Sequence, residues 1–127
     1  FRNTIFKDYK ANRGETPEDL IPQFEIIREC VDAFNIPQLE IEGYEADDIM
    51  GSLSKIAESN NVESYIVSGD KDMLQMVNDN IIVYAPGNRF KPTTKFKKEE
   101  VKDKMGVYPE RITDLLYLDK SLSEIKI

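Results

Sequence analysis

The sequence predicts an α/β protein in which helices cover a mainly parallel sheet. Strand-like segments alternate with helical segments along most of the 127 residues, which is the order that produces parallel sheets. The segment Tyr65-Ile66-Val67 is continuously apolar, as inner strands of parallel sheets are. With 40% hydrophobic and 32% charged residues, the composition is that of a globular domain and not of a disordered chain.

The first predicted element is a helix that begins at Thr16. A threonine at the N-cap, Pro17 at the first helical position and acids in the first turn form a common helix start. Apolar residues then recur at helical spacing until the sequence Asn35-Ile36-Pro37 ends the helix. The members of this apolar stripe are Leu20, Phe24, Ile27, Val31 and Phe34.

The later elements follow from the same local signals. A short strand is predicted at 38–42, where polar and apolar residues alternate, and Gly43 makes the turn into a helix that buries Ile49, Leu53 and Ile56. The further predicted elements are this helix at 45–59, a strand at 63–68, a short helix at 72–77, a strand at 81–84, a loop at 86–94 and helices at 97–105 and 109–118.

The composition excludes several classes of site. The chain has no histidine, which removes Ser-His and Cys-His nucleophilic systems and histidine-rich zinc sites. Its one cysteine, Cys30, excludes an internal disulfide and is consistent with a reducing cytoplasm. No apolar run is long enough to span a membrane, and no signal segment directs secretion. A cytoplasmic protein without a membrane partner is therefore expected.

The charges are unevenly distributed along the chain. The net charge is −7, which on its own argues mildly against nucleic-acid binding. Two basic flanks, at 1–13 and 89–104, nevertheless enclose an acidic segment at 38–48. Ordinary solvated faces explain such runs as well as a nucleic-acid partner does.

Two acidic motifs follow predicted strands. Glu45, Asp47 and Asp48 open a helix, and Asp70 and Asp72 follow the strand at 63–68. Because sites form beyond the carboxyl ends of parallel strands, the five carboxylates converge if the two strands are neighbours. The alternative for the first motif is that its acids simply cap a helix.

Electrostatics favours a cation among converging carboxylates. Two unit charges 4 Å apart repel by roughly 4 kcal/mol at an effective dielectric constant near 20. A helix N-terminus returns only about 0.3–1 kcal/mol per acid. Either the acids point apart into water, or a divalent cation lies among them. Oxygen ligands alone select Mg²⁺ or Mn²⁺, and two such ions suit phosphodiester hydrolysis.

Four segments, taken in order, resemble the 5′ nuclease domain of bacterial DNA polymerase I. They are Phe1-Arg2 with Tyr9-Lys10-Ala11-Asn12-Arg13 and Thr16-Pro17-Glu18, GYEADDIMGSL at 43–53, VSGDKDMLQMV at 67–77, and KMGVYPERITDLL at 104–116. The resemblance implies a PIN-like three-layer sandwich with a helical arch region. It also implies a 5′→3′ exonuclease, or structure-specific 5′ flap endonuclease, that cuts DNA with two metal ions during replication and repair.

The resemblance also implies roles for individual residues. The metal ligands would be Glu45, Asp47, Asp48, Asp70 and Asp72, with Asp119 as a further candidate. Lys10 and Arg13 would be catalytic, since they would stabilise charge on the scissile and neighbouring phosphates. Arg2, Tyr9, Lys10 and Arg13 would bind DNA, with Tyr9 stacking on a base. The expected substrate is a 5′ flap or nicked duplex, and the expected covalent partner is a polymerase domain.

The resemblance further predicts how the chain is organised. Residues 1–118 would form a partial exonuclease domain. Within it, 1–35 would be the arch and its following helix, 36–85 the metal-binding core, and 95–118 the helices that lead toward a missing helix-hairpin region. Residues 119–127 would be a divergent or truncated tail. The family's first metal aspartates lie upstream of Phe1-Arg2, so the domain is expected to be incomplete at both ends.

Two other functions are compatible with these motifs. A chain that lacks part of its metal site could bind DNA without cutting it. A small PIN-like ribonuclease also uses clustered acids on an α/β sheet, although it would not need the arch segment at 9–13.

Overall fold

The computed structural model of the chain describes Ile5 and residues 14–124, and it describes side chains as far as Leu118. The chain divides into two compact units, Phe1–Ile49 and Met50–Ile127. Each unit has its own local structure and is considered by itself. Within the described residues, no helix is both long and apolar enough to cross a membrane.

Helix α1 (Ile21–Ala33) is the main element of the first unit. The prediction that it begins at Thr16 is wrong, because Leu20 is the N-cap and residues 18–20 form a turn. Pro22 explains the difference. In a helix that began at Pro17, Pro22 would lack an interior N–H donor and its ring would clash with the carbonyl of Glu18. Starting at Ile21 places Pro22 in the first turn, where neither cost arises.

The described part of the first unit has little core of its own. Helix α1 has no buried residue, and Phe24, Ile27 and Phe34 are exposed. The strand predicted at 38–42 is also wrong, since these residues are not assigned to any strand. Alternating residues form a strand only when a neighbouring backbone pairs with them, and the described sheet contains no such neighbour for this segment.

Helix α2 (Ala46–Ser59) agrees with the prediction in its bounds but not in its buried face. Leu53 and Ile56 are 45% and 59% exposed, whereas Ser54 is buried. The inward side instead carries Met50, which packs against the core, together with small residues. The position of a Cβ on Gly51 would lie 3.6 Å from the side chain of Met76, and the Ser54 hydroxyl donates to the carbonyl of Gly51. Small side chains allow the close approach that larger apolar ones would prevent.

The sheet of the second unit has three strands in the order β1 (Ser64–Val67), β2 (Ile81–Ala85) and β3 (Thr94–Phe96). β1 and β2 are parallel, with Ile66 paired to Val83, and β2 and β3 are antiparallel, with Tyr84 paired to Lys95. The α/β class is therefore confirmed, with a mixed sheet. The prediction of an inner strand at 65–67 is wrong for the described sheet, because β1 lies at its edge with Tyr65 and Val67 exposed. β3 lies partly in the segment predicted as loop, because its Gly- and Pro-rich approach masks a strand of only three residues.

Two α-helices and two 3₁₀-helices complete the second unit. They are a 3₁₀-helix at Lys71–Met76, α3 (Lys98–Met105), a 3₁₀-helix at Pro109–Arg111 and α4 (Ile112–Glu124). α4 runs beyond the end predicted at 118, into the segment predicted as a tail. The core between these helices and the sheet is made of fully buried aliphatic side chains, the largest being Leu74, Ile81, Ile112, Val83 and Val101.

Candidate metal centre

The first acidic motif opens helix α2. Gly43 has φ of 81°, a left-handed conformation that glycine adopts at little cost, and it lies in the turn before the helix. The backbone N–H of Glu45 donates to the carboxylate of Asp48, with 3.0 Å between N and Oδ2. In return the backbone N–H of Asp48 donates to the Glu45 carbonyl at 3.0 Å. The helix-capping interpretation of this motif is thus confirmed for Asp48.

The remaining acids of this motif differ in exposure. Asp47 is exposed in the first turn of α2, while Glu45 and Asp48 are half-buried. Both Asp47 and Asp48 lie where the positive end of the helix dipole favours negative charge. Capping therefore explains the position of Asp48, and the helix dipole favours Asp47 in the same turn.

The second acidic motif follows β1 directly, as the sequence predicted. Asp70 is the N-cap of the first 3₁₀-helix, and its Oδ1 accepts from the backbone N–H of Asp72 at 2.9 Å. The backbone N–H of Asp70 donates to the Ser68 hydroxyl at 3.1 Å. These local bonds fix the turn that follows the strand, and both carboxylates remain exposed at its surface.

The 3₁₀-helix that carries Asp72 is attached firmly to the core. Its Met73 and Leu74 side chains are each 2% exposed. Its Gln75 side chain accepts from the hydroxyl of Thr113 on α4, at 3.1 Å. The polar end of the turn is therefore supported by buried apolar contacts directly behind it, which limits how far Asp70 and Asp72 can move.

The donor chemistry fits a hard divalent cation, since all five predicted ligands are carboxylates. Over the described residues, however, histidine, cysteine, aspartate and glutamate side chains form no group of three or more that could hold a metal. The two motifs also fall in different units, Glu45, Asp47 and Asp48 in the first and Asp70 and Asp72 in the second. Convergence of the five carboxylates remains a prediction.

Several predicted site residues lie outside what the structure describes. These are Arg2, Tyr9, Lys10 and Arg13, the predicted DNA-binding and catalytic residues. The backbone of Asp119 is helical, within α4, but its side chain is among those that are not described. The roles of these five residues therefore stay predictions.

Two lysines of the second basic flank have a raised pKa. The hydrogen bond from Lys98 to Asp79, with 2.8 Å between Nζ and Oδ1, raises the pKa of Lys98 above its ordinary value of 10.5. The hydrogen bond from Lys102 to the Tyr108 hydroxyl, at 3.0 Å, likewise raises the pKa of Lys102. Both groups are cationic at neutral pH, so each contributes a full positive charge to this flank.

Sequence reasoning missed the side chains that close the turns after β1 and before β2. Ser68 and Asn78 are the clearest examples. The Asn78 side chain accepts from the backbone N–H groups of Asn80 and Ile81 and donates to Glu58 at 2.7 Å, which fixes the turn that leads into β2. A serine or asparagine side chain often accepts a hydrogen bond from the backbone N–H two residues later in a turn. These residue types before a turn were therefore a signal that could have been used.

Comparison with known proteins gives a consistent result. Residues 1–106 match the family model described as 5′-3′ exonuclease, N-terminal resolvase-like domain. The chain is 40% identical over 127 residues to DNA polymerase I of Chloroflexus aurantiacus, an alignment that covers 98% of this chain and 14% of that protein. It is 42% identical over 115 residues to DNA polymerase I of Bacillus subtilis, covering 91% of this chain and 13% of that protein.

A shorter relative matches equally well. The chain is 41% identical over 118 residues to the 5′-3′ exonuclease of Buchnera aphidicola subsp. Schizaphis graminum, covering 93% of this chain and 40% of that protein. The chain thus spans a small part of the two polymerases and less than half of this exonuclease. Both acidic motifs fall within residues 1–106, the range that the family model matches.

Proposed function

Since this chain belongs to the family of 5′-3′ exonuclease N-terminal resolvase-like domains, we propose that it is part of an enzyme that hydrolyses DNA phosphodiester bonds from 5′ ends. We propose 5′→3′ exonuclease and structure-specific 5′ flap endonuclease activity, within a DNA polymerase I that acts in replication and repair. The observation that carries the proposal is the family match over residues 1–106, which includes both acidic motifs.

The proposed metal ligands are the carboxylates of Glu45, Asp47, Asp48, Asp70 and Asp72, with Asp119 as a further candidate. Two Mg²⁺ or Mn²⁺ ions, when bound, would supply a nucleophilic hydroxide at neutral pH and would neutralise charge on the phosphate oxygens. The turn at 68–72 supports this role, because two hydrogen bonds hold it, one from the backbone N–H of Asp70 to the Ser68 hydroxyl and one from the backbone N–H of Asp72 to the Asp70 carboxylate. Preorganised carboxylates lose less entropy when a cation binds.

The DNA would be held by the basic residues of the first flank. Lys10 and Arg13 would donate hydrogen bonds to the scissile and neighbouring phosphates and so stabilise the charge that builds up as the bond breaks. Arg2 would contact the backbone, and Tyr9 would stack on a base near the cut. A polymerase domain in the same polypeptide is the proposed partner, in line with relatives that are named DNA polymerase I.

The direct test is cleavage of a duplex with a 5′-labelled flap, in Mg²⁺ and in Mn²⁺. We expect products that a chelator abolishes and that Asp70→Asn reduces by about 100-fold or more, the scale of losing one electrostatic group from a site. Asn keeps the side-chain oxygen that caps the 3₁₀-helix, so the change removes charge without unfolding the turn.

Asp114→Asn is the matched control, because Asp114 is an exposed carboxylate that pairs with Arg111 at 3.0 Å on the same unit. It should leave cleavage unchanged. Binding of the flap without any metal-dependent cutting, at protein concentrations that saturate the DNA, would instead mark the chain as a DNA-binding module without turnover.

A further inference from the structure

The turn that joins β2 to β3 is a hairpin turn that is closed by hydrogen bonds. We call residues 88–91 the hairpin tip. Asn88 and Lys91 exchange backbone hydrogen bonds, with N to O distances of 2.8 and 3.2 Å. The Asn88 side chain also accepts from the backbone N–H groups of Phe90 and Lys91, at 2.9 and 3.0 Å. Four hydrogen bonds over four residues define one conformation for the backbone of the tip.

The base of the tip is equally constrained. The backbone N–H of Gly87 donates to the Thr93 hydroxyl at 3.2 Å. A Cβ added to Gly87 would lie 2.5 Å from the Thr93 nitrogen and 2.6 Å from the Lys91 oxygen. The two arms of the hairpin therefore touch at this point, and only glycine permits that approach.

The tip displays an aromatic ring to solvent. Phe90 is 87% exposed, the highest fraction among the large hydrophobic residues that the structure describes. Burying a phenylalanine stabilises a protein by about 1.5–3 kcal/mol, and this one contributes almost nothing of that kind to the fold. The closed backbone of the tip thus holds both faces of an aromatic ring in solvent, where a flat partner can stack on them.

The surroundings of Phe90 define the chemistry of its partner. Arg89 and Lys91 flank it, and residues 85–98 contain five cations and no acid, in a chain of net charge −7. Farther along β3, Lys95 lies over the rings of Tyr65 and Tyr84, with Nζ 5.5 and 5.7 Å from the two ring centroids. An aromatic ring between cations fits a polyanion that also offers flat apolar faces, which is the chemistry of unpaired nucleotides.

We propose that the hairpin tip binds single-stranded DNA, with Phe90 stacking on an unpaired base and Arg89 and Lys91 contacting the phosphates on either side of it. The proposal rests on the proposed function only in taking DNA as the polyanion. It adds a second contact for the single strand, on the β2–β3 connection and separate in sequence from both acidic motifs and from the segment 1–13.

Phe90→Trp gives a direct probe of stacking, because the chain contains no other tryptophan. The experiment titrates this variant with a single-stranded oligonucleotide in a chelating buffer, so that nothing is cleaved. Stacking should quench the indole fluorescence. An oligonucleotide of the same length that is abasic throughout keeps the phosphates and loses the bases, and it should leave the fluorescence unchanged.

Fluorescence anisotropy then measures affinity for the same oligonucleotide without metal. Phe90→Ala should weaken binding about 5- to 150-fold, the fold-change that corresponds to losing one base–aromatic stack. The double change Arg89→Gln with Lys91→Gln should weaken binding and reduce its salt dependence. The control is Phe34→Ala, since Phe34 is 78% exposed and its immediate sequence neighbours carry no cation.

Equal affinities for Phe90→Ala and Phe34→Ala would overturn the proposal. So would a blue shift of the indole emission on vesicles of anionic lipid without quenching by the oligonucleotide, which would make the tip a membrane contact. Metal-dependent cleavage is absent from both measurements. Quenching at position 90 without metal-dependent flap cutting by the unchanged chain would sink the nuclease proposal alone, and metal-dependent cutting without quenching would sink this one alone.

Discussion

The carboxylate of Asp48 accepts a hydrogen bond from the backbone N–H of Glu45, with 3.0 Å between the nitrogen and Oδ2. Asp48 is the third residue of α2 and Glu45 immediately precedes the helix, so this is the carboxylate half of a capping box. The same carboxylate is a proposed metal ligand. A cation would use the negative charge of this carboxylate, whereas the cap needs only an oxygen acceptor.

The two roles of Asp48 can be separated by substitution. Asp48→Asn keeps an oxygen acceptor for the Glu45 N–H, so without metal it should cost less than about 1 kcal/mol, the share due to charge at a helix N-terminus. Asp48→Ala also loses the hydrogen bond and should cost about 1–2 kcal/mol in all. Urea unfolding in chelator measures both. Mn²⁺ affinity, by calorimetry, should fall in both variants alike.

A Mn²⁺ affinity that survived in Asp48→Asn and fell only in Asp48→Ala would contradict a ligand role for the charged carboxylate. The change would then act through the fold of α2 alone.

Metal binding should raise the melting temperature of the chain. A ligand at a hundred times its dissociation constant stabilises the folded state by about 2.7 kcal/mol, which corresponds to a rise of several degrees in Tm. Asp70→Asn combined with Asp72→Asn should abolish the rise and leave Tm in chelator nearly unchanged, since Asn at position 70 still caps the 3₁₀-helix. Calorimetric scans with and without Mn²⁺ measure the effect.

The control for the metal scans is again Asp114→Asn, which should show the full Mn²⁺-dependent rise. If this control lost as much of the rise as the double variant, Mn²⁺ would be acting through general surface charge and not through a site at 70–72.

Most elements of the second unit could be predicted from sequence because their signals are local. The apolar run at 65–67 and the Ser68-Gly69-Asp70 turn correctly placed a strand and a turn that carries Asp70 at its end. The predicted start of α1 was wrong because the cost of placing Pro22 inside a helix is larger than the gain from a favourable N-cap at Thr16. The prediction of a strand at 38–42 was wrong because a strand needs a neighbouring backbone to pair with, and the alternation of polar and apolar residues does not reveal whether one is present.

In the candidate site, too, local signals could be predicted from sequence and contacts between distant residues could not. Asp70 and Asp72 could be placed because residues that directly follow a parallel strand lie beyond the carboxyl end of the sheet whatever the rest of the fold does. The support of that turn by Ser68 and by the pair Thr113–Gln75 could not be placed, since the latter joins residues that are distant in sequence. The prediction of the buried face of α2 was wrong for a related reason. Close packing at Gly51 and Ser54 determines which face of the helix turns inward, and the apolar periodicity of the sequence does not reveal it.

The Lys98–Asp79 ion pair should give the chain an alkaline component of stability. Asp79 raises the pKa of Lys98 above 10.5 in the folded state, so the folded form holds this proton more tightly than the unfolded form. The stabilisation is complete below the unfolded pKa and is lost as pH rises through the folded one. Comparing the chain with Lys98→Gln, the difference in free energy of unfolding should be constant to about pH 10 and shrink above it.

Denaturant unfolding at a series of pH values measures this difference. The effect should be small and should weaken in salt of about 1 M, because the Lys98 side chain is 40% exposed and Asp79 is 87% exposed. A difference that grew with pH would contradict the assignment.

Leu74 connects the core to the acidic turn, so its truncation should lower both the stability of the fold and the affinity of the turn for Mn²⁺. Its side chain is 2% exposed within the 3₁₀-helix that carries Asp72. Leu74→Ala should lower the free energy of unfolding by about 2–5 kcal/mol and weaken Mn²⁺ binding, because the cavity releases the support behind the carboxylates. Denaturant titration and calorimetry test the two effects. Leu118→Ala, at a position 58% exposed, should change neither.

Gly87 tests whether the hairpin tip acts through its rigidity. In Gly87→Ala the new Cβ would lie 2.5 Å from the Thr93 nitrogen, 2.6 Å from the Lys91 oxygen and 2.7 Å from a Pro92 carbon. All three atoms belong to the backbone, so the arms of the hairpin must separate. Overpacking of this kind costs about 1–3 kcal/mol, which thermal unfolding measures.

The same change should weaken single-strand binding although Arg89, Phe90 and Lys91 are all retained, because their spacing is no longer fixed. Gly14→Ala is the control, since a Cβ there meets none of the described residues within 4 Å and should alter neither Tm nor affinity. If Gly87→Ala lowered Tm but bound the oligonucleotide as tightly as the unchanged chain, the tip would act as a flexible basic segment. Phe90 would then contribute its ring without the hairpin having to hold it in place.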